Sequence, residues 1–167
     1  MTFKKIPQSI LKENDRTIFE RAHEHITAQV EEKSGEINRI RFNKIPDKAK
    51  AIYWLWRFQC EAGVCGIDVF VLNSLGIYAP ETHAALVMVG AIELARRLEA
   101  AIALALEGPA EFKRLEDQSW FNQFKRLPEF PTWQSLDRST FALTKSSLTD
   151  LTVKFIKKHK TTLFEKR

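Results

Sequence analysis

The chain has 167 residues, 44% hydrophobic and 28% charged, with 6 glycines and 6 prolines; this composition describes one compact domain with a sizeable core and excludes disorder, collagen-like repeats and low complexity. Lys and Arg number 26 against 21 Asp and Glu, a formal charge of +5, and 2 cysteines are too few for a disulfide framework. No run approaches the length of a membrane span, and the lysine-bearing residues 1–12 contain no apolar stretch, so the chain reads as cytoplasmic, without leader or anchor.

The charge is uneven, +3 over residues 1–50, −3 over 51–110 and +5 over 111–167. Leu11, Ile18, Phe19, Ala22, Ile26 and Val30 recur at helical spacing before Gly35, which predicts an amphipathic helix over 9–34. Pro46-Asp47 opens a second helix, 47–62, whose apolar residues cover most of the circumference, as in a central, buried helix. Its remaining stripe, Lys50, Trp54, Arg57 and Glu61, is expected to face solvent or a partner, with Arg57 and Glu61 paired; the alternative has Trp54 covered by the C-terminal third.

Gly63 and Gly66 break the pattern before a short helix over 67–75 that ends at Gly76. Pro80-Glu81 starts a helix over 80–89, and Gly90 separates it from an alanine-rich helix over 91–107 that Gly108-Pro109 closes. Phe112 to Leu127 reads as one or two short helices, with Pro128 and Pro131 forcing extended or turn structure. Ser147 and Asp150 have capping-box spacing at the start of a last helix, 147–160. With no period-two alternation and no internal repeat, the expected fold is all-α, a single-domain irregular bundle of about six to nine helices. It divides into an N-terminal helix and linker (1–45), a helical domain packed with it as one unit (46–160), and a basic tail (161–167).

Chemical signatures are sparse. On a helix His23 and His25 point about 200° apart, so they do not clasp one metal, and Cys60 and Cys65 lack further ligands and read as buried thiols. No nucleophile elbow or phosphate loop is present, and no cofactor is implied. Glu61, Asp68, Glu81 and Glu93 of the acidic middle suit ion pairing, capping or partner contact better than acid–base catalysis. Lys154, Lys157, Lys158 and Lys160 cluster on the last helix, a solvated face or a binding patch.

Glu61, Gly66, Phe70, Asn73 and Gly76, in the segment Glu61-Ala62-Gly63-Val64-Cys65-Gly66-Ile67-Asp68-Val69-Phe70-Val71-Leu72-Asn73-Ser74-Leu75-Gly76, carry a resemblance to the bacterial DNA-mimic protein family of small helical domains. Ala85-Leu86 with Gly90-Ala91 and Ala95, Leu136-Asp137 with Phe141, and Phe155-Ile156-Lys157 with His159 extend it over about 48–160. Val64 and Cys65 stand where Asn-Gly would be expected, Ile67 where Phe is usual, and Val69 where Gln is usual. Read physically, Gly66 and Gly76 suit positive φ or close approach at helix ends, Asn73 a cap, and Phe70 an anchor. The resemblance implies a non-catalytic activity, an acidic homodimer that imitates DNA and occupies a DNA-binding protein. A +5 chain lacks the global charge for that imitation, because duplex DNA carries one phosphate per about 1.7 Å.

The expected function is therefore non-enzymatic binding of another protein, a toxin neutralised as by an immunity protein or inhibitor, or a DNA-binding regulator sequestered. Its contacts would be Glu61, Asp68, Glu81, Glu93, Trp54, Lys154, Lys157 and Lys158, and its central helices would pair in a homodimer. Direct nucleic-acid binding through the C-terminal lysines is disfavoured, since 51–110 repels phosphate; the other rival is an enzyme using the central carboxylates.

Overall fold

A computed structural model describes residues 2–73, 78–107 and 130–165. Its order is a 3₁₀ turn at Gln8–Lys12, α1 (Asp15–Val30), α2 (Arg39–Asn43), α3 (Asp47–Glu61), α4 (Ile67–Asn73), α5 (Ala79–Val89) and α6 (Ile92–Glu107). Then come α7 (Phe130–Leu143), a π-helical turn at Thr144–Leu148, α8 (Thr149–Lys158) and α9 (Lys160–Leu163). Among the described residues β-structure is confined to two isolated bridges, so the protein is all-α, an irregular helical bundle.

The helix expected over 9–34 is split because Asn14 caps α1 by accepting a hydrogen bond from the Thr17 N–H. Beyond that cap the predicted stripe is the core face, with Ile18, Phe19, Ala22, Ile26 and Val30 all buried. Helix α2 escaped the periodicity because it is five residues long; Asn38 caps it through the Arg41 N–H. Central α3 packs chiefly against α5 and α1 and buries Ala49, Ala51, Ile52, Tyr53, Trp54, Leu55 and Phe58. Gly90, at φ +81, accommodates the left-handed turn between α5 and α6.

Two local expectations fail. Pro131 lies inside α7 rather than breaking it, because in the first turn its missing N–H has no helical partner to lose. Ser147 forms no capping box; its hydroxyl donates to the Leu143 carbonyl at 2.8 Å, and the chain enters α8 from the π turn already helical. Pro128, Gly76, Gly108-Pro109 and the Phe112 to Leu127 segment lie outside the described residues, as does the side chain of Asn73. The segment read as a basic tail contributes core: Leu163 and Phe164 are buried, and the Ile6 N–H donates to the Leu163 carbonyl at 2.9 Å.

Candidate functional site

Helices α2, α3 and α5 enclose a groove of about 290 Å³. Its apolar lining is Phe42, Ala51, Trp54, Ala84, Ala85 and Met88, and its polar lining is Arg39, Asn43, Asp47, Lys50 and Glu81. The floor is rigid because aromatic rings brace one another. Trp54 stacks on Tyr78 with centroids 4.9 Å apart and meets Phe42 edge-on at 5.2 Å. Helical spacing puts Ala51 and Trp54 on one face of α3, and Ala84, Ala85 and Met88 on one face of α5. Small alanines keep the groove open, while Met88 remains 45% exposed and free to adapt to what lies against it.

The rim charges are paired. Arg39 lies 3.8 Å from Glu81, with its guanidinium over the Tyr78 ring, and Lys50 contacts Asp47 at 2.8 Å. Such half-exposed pairs contribute at most about 1 kcal/mol each to stability, but they leave the mouth close to neutral. A second depression, about 600 Å³, runs along α1 past Glu20, Arg21 and Glu24 and has little apolar lining beyond Ile10.

Of the expected contact residues, Trp54 and Glu81 meet at the groove. Trp54 is nevertheless only 2% exposed, which corrects the reading that it faces solvent or a partner; among the described residues Phe42, Tyr53 and Tyr78 pack their rings against it. Glu61 sits at the far end of α3, 3.6 Å from Arg57, as its spacing predicted, and Glu93 pairs with Arg97 at 2.8 Å. Lys154, Lys157 and Lys158 are exposed on α8, where Lys157 reaches Asp15 at 2.9 Å.

Asp68 is 4% exposed and cannot serve as a surface contact. It lies against Asp137 of α7, whose Oδ1 accepts from the Ile67 N–H at 2.7 Å. Burial, and then the charge of Asp137, push the Asp68 carboxyl up to about 6. These two carboxylates do converge, yet neither lines the groove or the depression, and both are engaged by backbone N–H groups. The motif glycine beside them, Gly66, has φ +109, and Phe70 is anchored edge-on against Phe58 at 5.0 Å.

A polar cluster that sequence reasoning missed lies between α1 and α3. The Tyr53 hydroxyl donates to Glu31 and accepts from Arg57 at 3.0 Å, and burial, then the Glu31 hydrogen bond, raise its pKa. His23, read as a surface residue, stacks against Tyr53 and Trp56; burial, and then Arg57, lower its pKa to about 4. The signal available was its place beside Ala22 on the α1 stripe. His23 and His25 do diverge, His23 Nε2 meeting the Thr27 hydroxyl and His25 Nε2 the Lys4 carbonyl. Cys60 and Cys65 are exposed, not buried. Partial burial, then Glu61 and Glu20, raise the Cys60 pKa, which keeps it a poor nucleophile. Among the described residues no helix is long and apolar enough to cross a membrane.

The family model described as a DMP19-like protein matches residues 43–159, from the end of α2 to the last turn of α8. Comparison with curated proteins and with solved structures finds no match. A match over more than half of the sequence, taking in α3, the Gly66 turn, the groove's α5 wall and α8, shows that the chain belongs to the DMP19-like family, that of DNA-mimic protein 19.

Proposed function

We propose that this protein is a non-catalytic binding module for another protein, and that its partner seats an apolar side chain in the groove between α2, α3 and α5. The observation that carries this reading is the groove's composition: braced aromatic rings below, two alanines and a half-exposed methionine on the walls, and charges already paired at the mouth. Protein interfaces concentrate their binding energy in such dry, apolar centres with polar rims. Family membership supports a protein partner of the DNA-binding kind, a regulator that is sequestered; a toxin that is neutralised is the alternative, by analogy with small inhibitors.

Imitation of DNA by free carboxylates fits this chain poorly. Glu61, Glu81 and Glu93 each have an arginine partner, so the central acids present neutralised pairs instead of a phosphate-like array. Recognition then depends on shape and apolar burial, with Lys154 and Lys158 tuning the encounter rate from a separate helix. The homodimer that the resemblance implies would use the neighbouring α5–α6 edge, where Val87 and Ile92 are each 45–46% exposed.

The test fills the groove. Ala84 is exposed on α5, so Ala84→Arg should leave the fold intact while its side chain occupies the cleft. A partner captured from native lysate by the tagged wild-type chain should bind Ala84→Arg at least ~100-fold more weakly. Replacing Lys154, Lys157 and Lys158 together by Glu should cost about tenfold, mainly in association rate. Unchanged affinity of Ala84→Arg, or tight duplex DNA binding abolished by the lysine replacements, would overturn the reading.

A further inference from the structure

We propose that Asp68 and Asp137 form a proton-controlled latch between α4 and α7, closed while the two carboxyls share a proton and loosened when both ionise. The two side chains converge on one backbone point. A Cβ added to Gly66 would lie 2.4 Å from Asp68 Oδ1 and 3.1 Å from Asp137 Oδ1, so only glycine lets both carboxyls close over that turn. Asp137 reaches across from α7 to accept from the Ile67 N–H at 2.7 Å and the Asp68 N–H at 3.3 Å, tying the first turn of α4 to α7. Asp68 Oδ1 accepts from the Val69 N–H at 2.7 Å, so the two carboxyls face the same Gly66 turn, each already holding a backbone N–H.

Two carboxyls brought together in this way favour holding one proton between them, because two ionised carboxylates repel and offer four acceptor oxygens and no donor. No cation relieves the pair among the described residues. Asp137 is the charge that α7 sets against Asp68, and Arg138 on the same helix is exposed. Of the other helices packed on α4, α3 brings Arg57 and Glu61, engaged with each other, and α6 brings Glu93 and Arg97, likewise engaged, while Arg96 and Glu99 are exposed.

The pair titrates as a unit, with the shared proton leaving near pH 6 as the Asp68 carboxyl is held up at about 6 against an ordinary 3.8. A carboxyl raised in the folded state favours docking at low pH and loses that contribution as pH rises through the raised value. Linkage between these two values makes docking of α7 about tenfold tighter at pH 5 than at pH 7.5.

Amide hydrogen exchange of the full chain, corrected for intrinsic rates, reads this directly. The α7 amides and the Ile67 and Asp68 amides should be about tenfold better protected at pH 5 than at pH 7.5. In Asp68→Asn a carboxamide donates to Asp137 without titrating, and the difference should vanish. Carbon NMR of the wild-type chain, which needs no variant, should show an aspartate carboxyl with its midpoint near pH 6. Equal protection at the two pH values, survival of the difference in Asp68→Asn, or no aspartate midpoint between pH 5 and 7 would each overturn the latch.

Discussion

His23→Phe should make the protein more resistant to mild acid. His23 lies between Tyr53, at 5.5 Å, and Trp56, at 5.4 Å, and burial, then Arg57, hold its pKa at about 4 against 6.5 when unfolded. A folded pKa below the unfolded one means that the unfolded chain takes up the proton first. The stability His23 contributes by staying neutral is present above about pH 6.5 and falls away as pH drops towards 4. From those two pKa values, the loss between pH 7 and pH 5 is about 2 kcal/mol. Asp68 acts with the opposite sign in the same interval, and its raised pKa recovers about 1 kcal/mol, so the wild-type curve alone would show only about half of the His23 effect. The difference between wild type and variant removes that masking, because α1 and α4 share no major contact and distant effects add. Phe keeps an aromatic ring in the stack and lacks the proton site. Urea unfolding at pH 7, 6 and 5 should therefore show the variant gaining about 2 kcal/mol on the wild type as pH falls. A difference that stays constant across those three pH values would refute the buried, neutral assignment.

Gly66→Ala should cost at least about 2 kcal/mol, since a side chain at φ +109 is strained and its Cβ would meet Asp68 Oδ1. Gly35→Ala, at φ +83 in open space, should cost about 1 kcal/mol; equal denaturation midpoints for the two variants would contradict the crowding at Gly66. Thr152→Val should be neutral or stabilising by up to about 1 kcal/mol, because Thr152 is fully buried on α8 and its hydroxyl has no hydrogen-bond partner among the described residues. Calorimetry showing a loss larger than 1 kcal/mol would instead mean that the hydroxyl has a bonding partner, such as a buried water.

The helices were legible where one long stripe met one neighbour. The boundaries expected for the helices at 47–62, 80–89 and 91–107 lie within a residue of those of α3, α5 and α6, because Pro46, Pro80 and Gly90 act locally. The groove was only half legible. Trp54 stood out as an aromatic on a polar stripe, but its cover comes from Phe42 and Tyr78, on elements that periodicity could not place. A five-residue α2 carries too few turns to show a period, and Tyr78 lies at the cap of α5. Asp137 illustrates the harder case: nothing along the chain links it to Asp68, 69 positions away, until packing of α4 on α7 brings the two carboxyls together.

Site-specific photocrosslinking tests the central claim most directly. A benzoylphenylalanine placed at position 88 sits at the groove wall, and one placed at position 154 samples the basic face of α8. In native lysate, irradiation should give a discrete protein adduct from position 88, and adding Ala84→Arg in the same chain should remove it. A nuclease-sensitive adduct from position 154, with none from position 88, would contradict a protein partner seated in the groove.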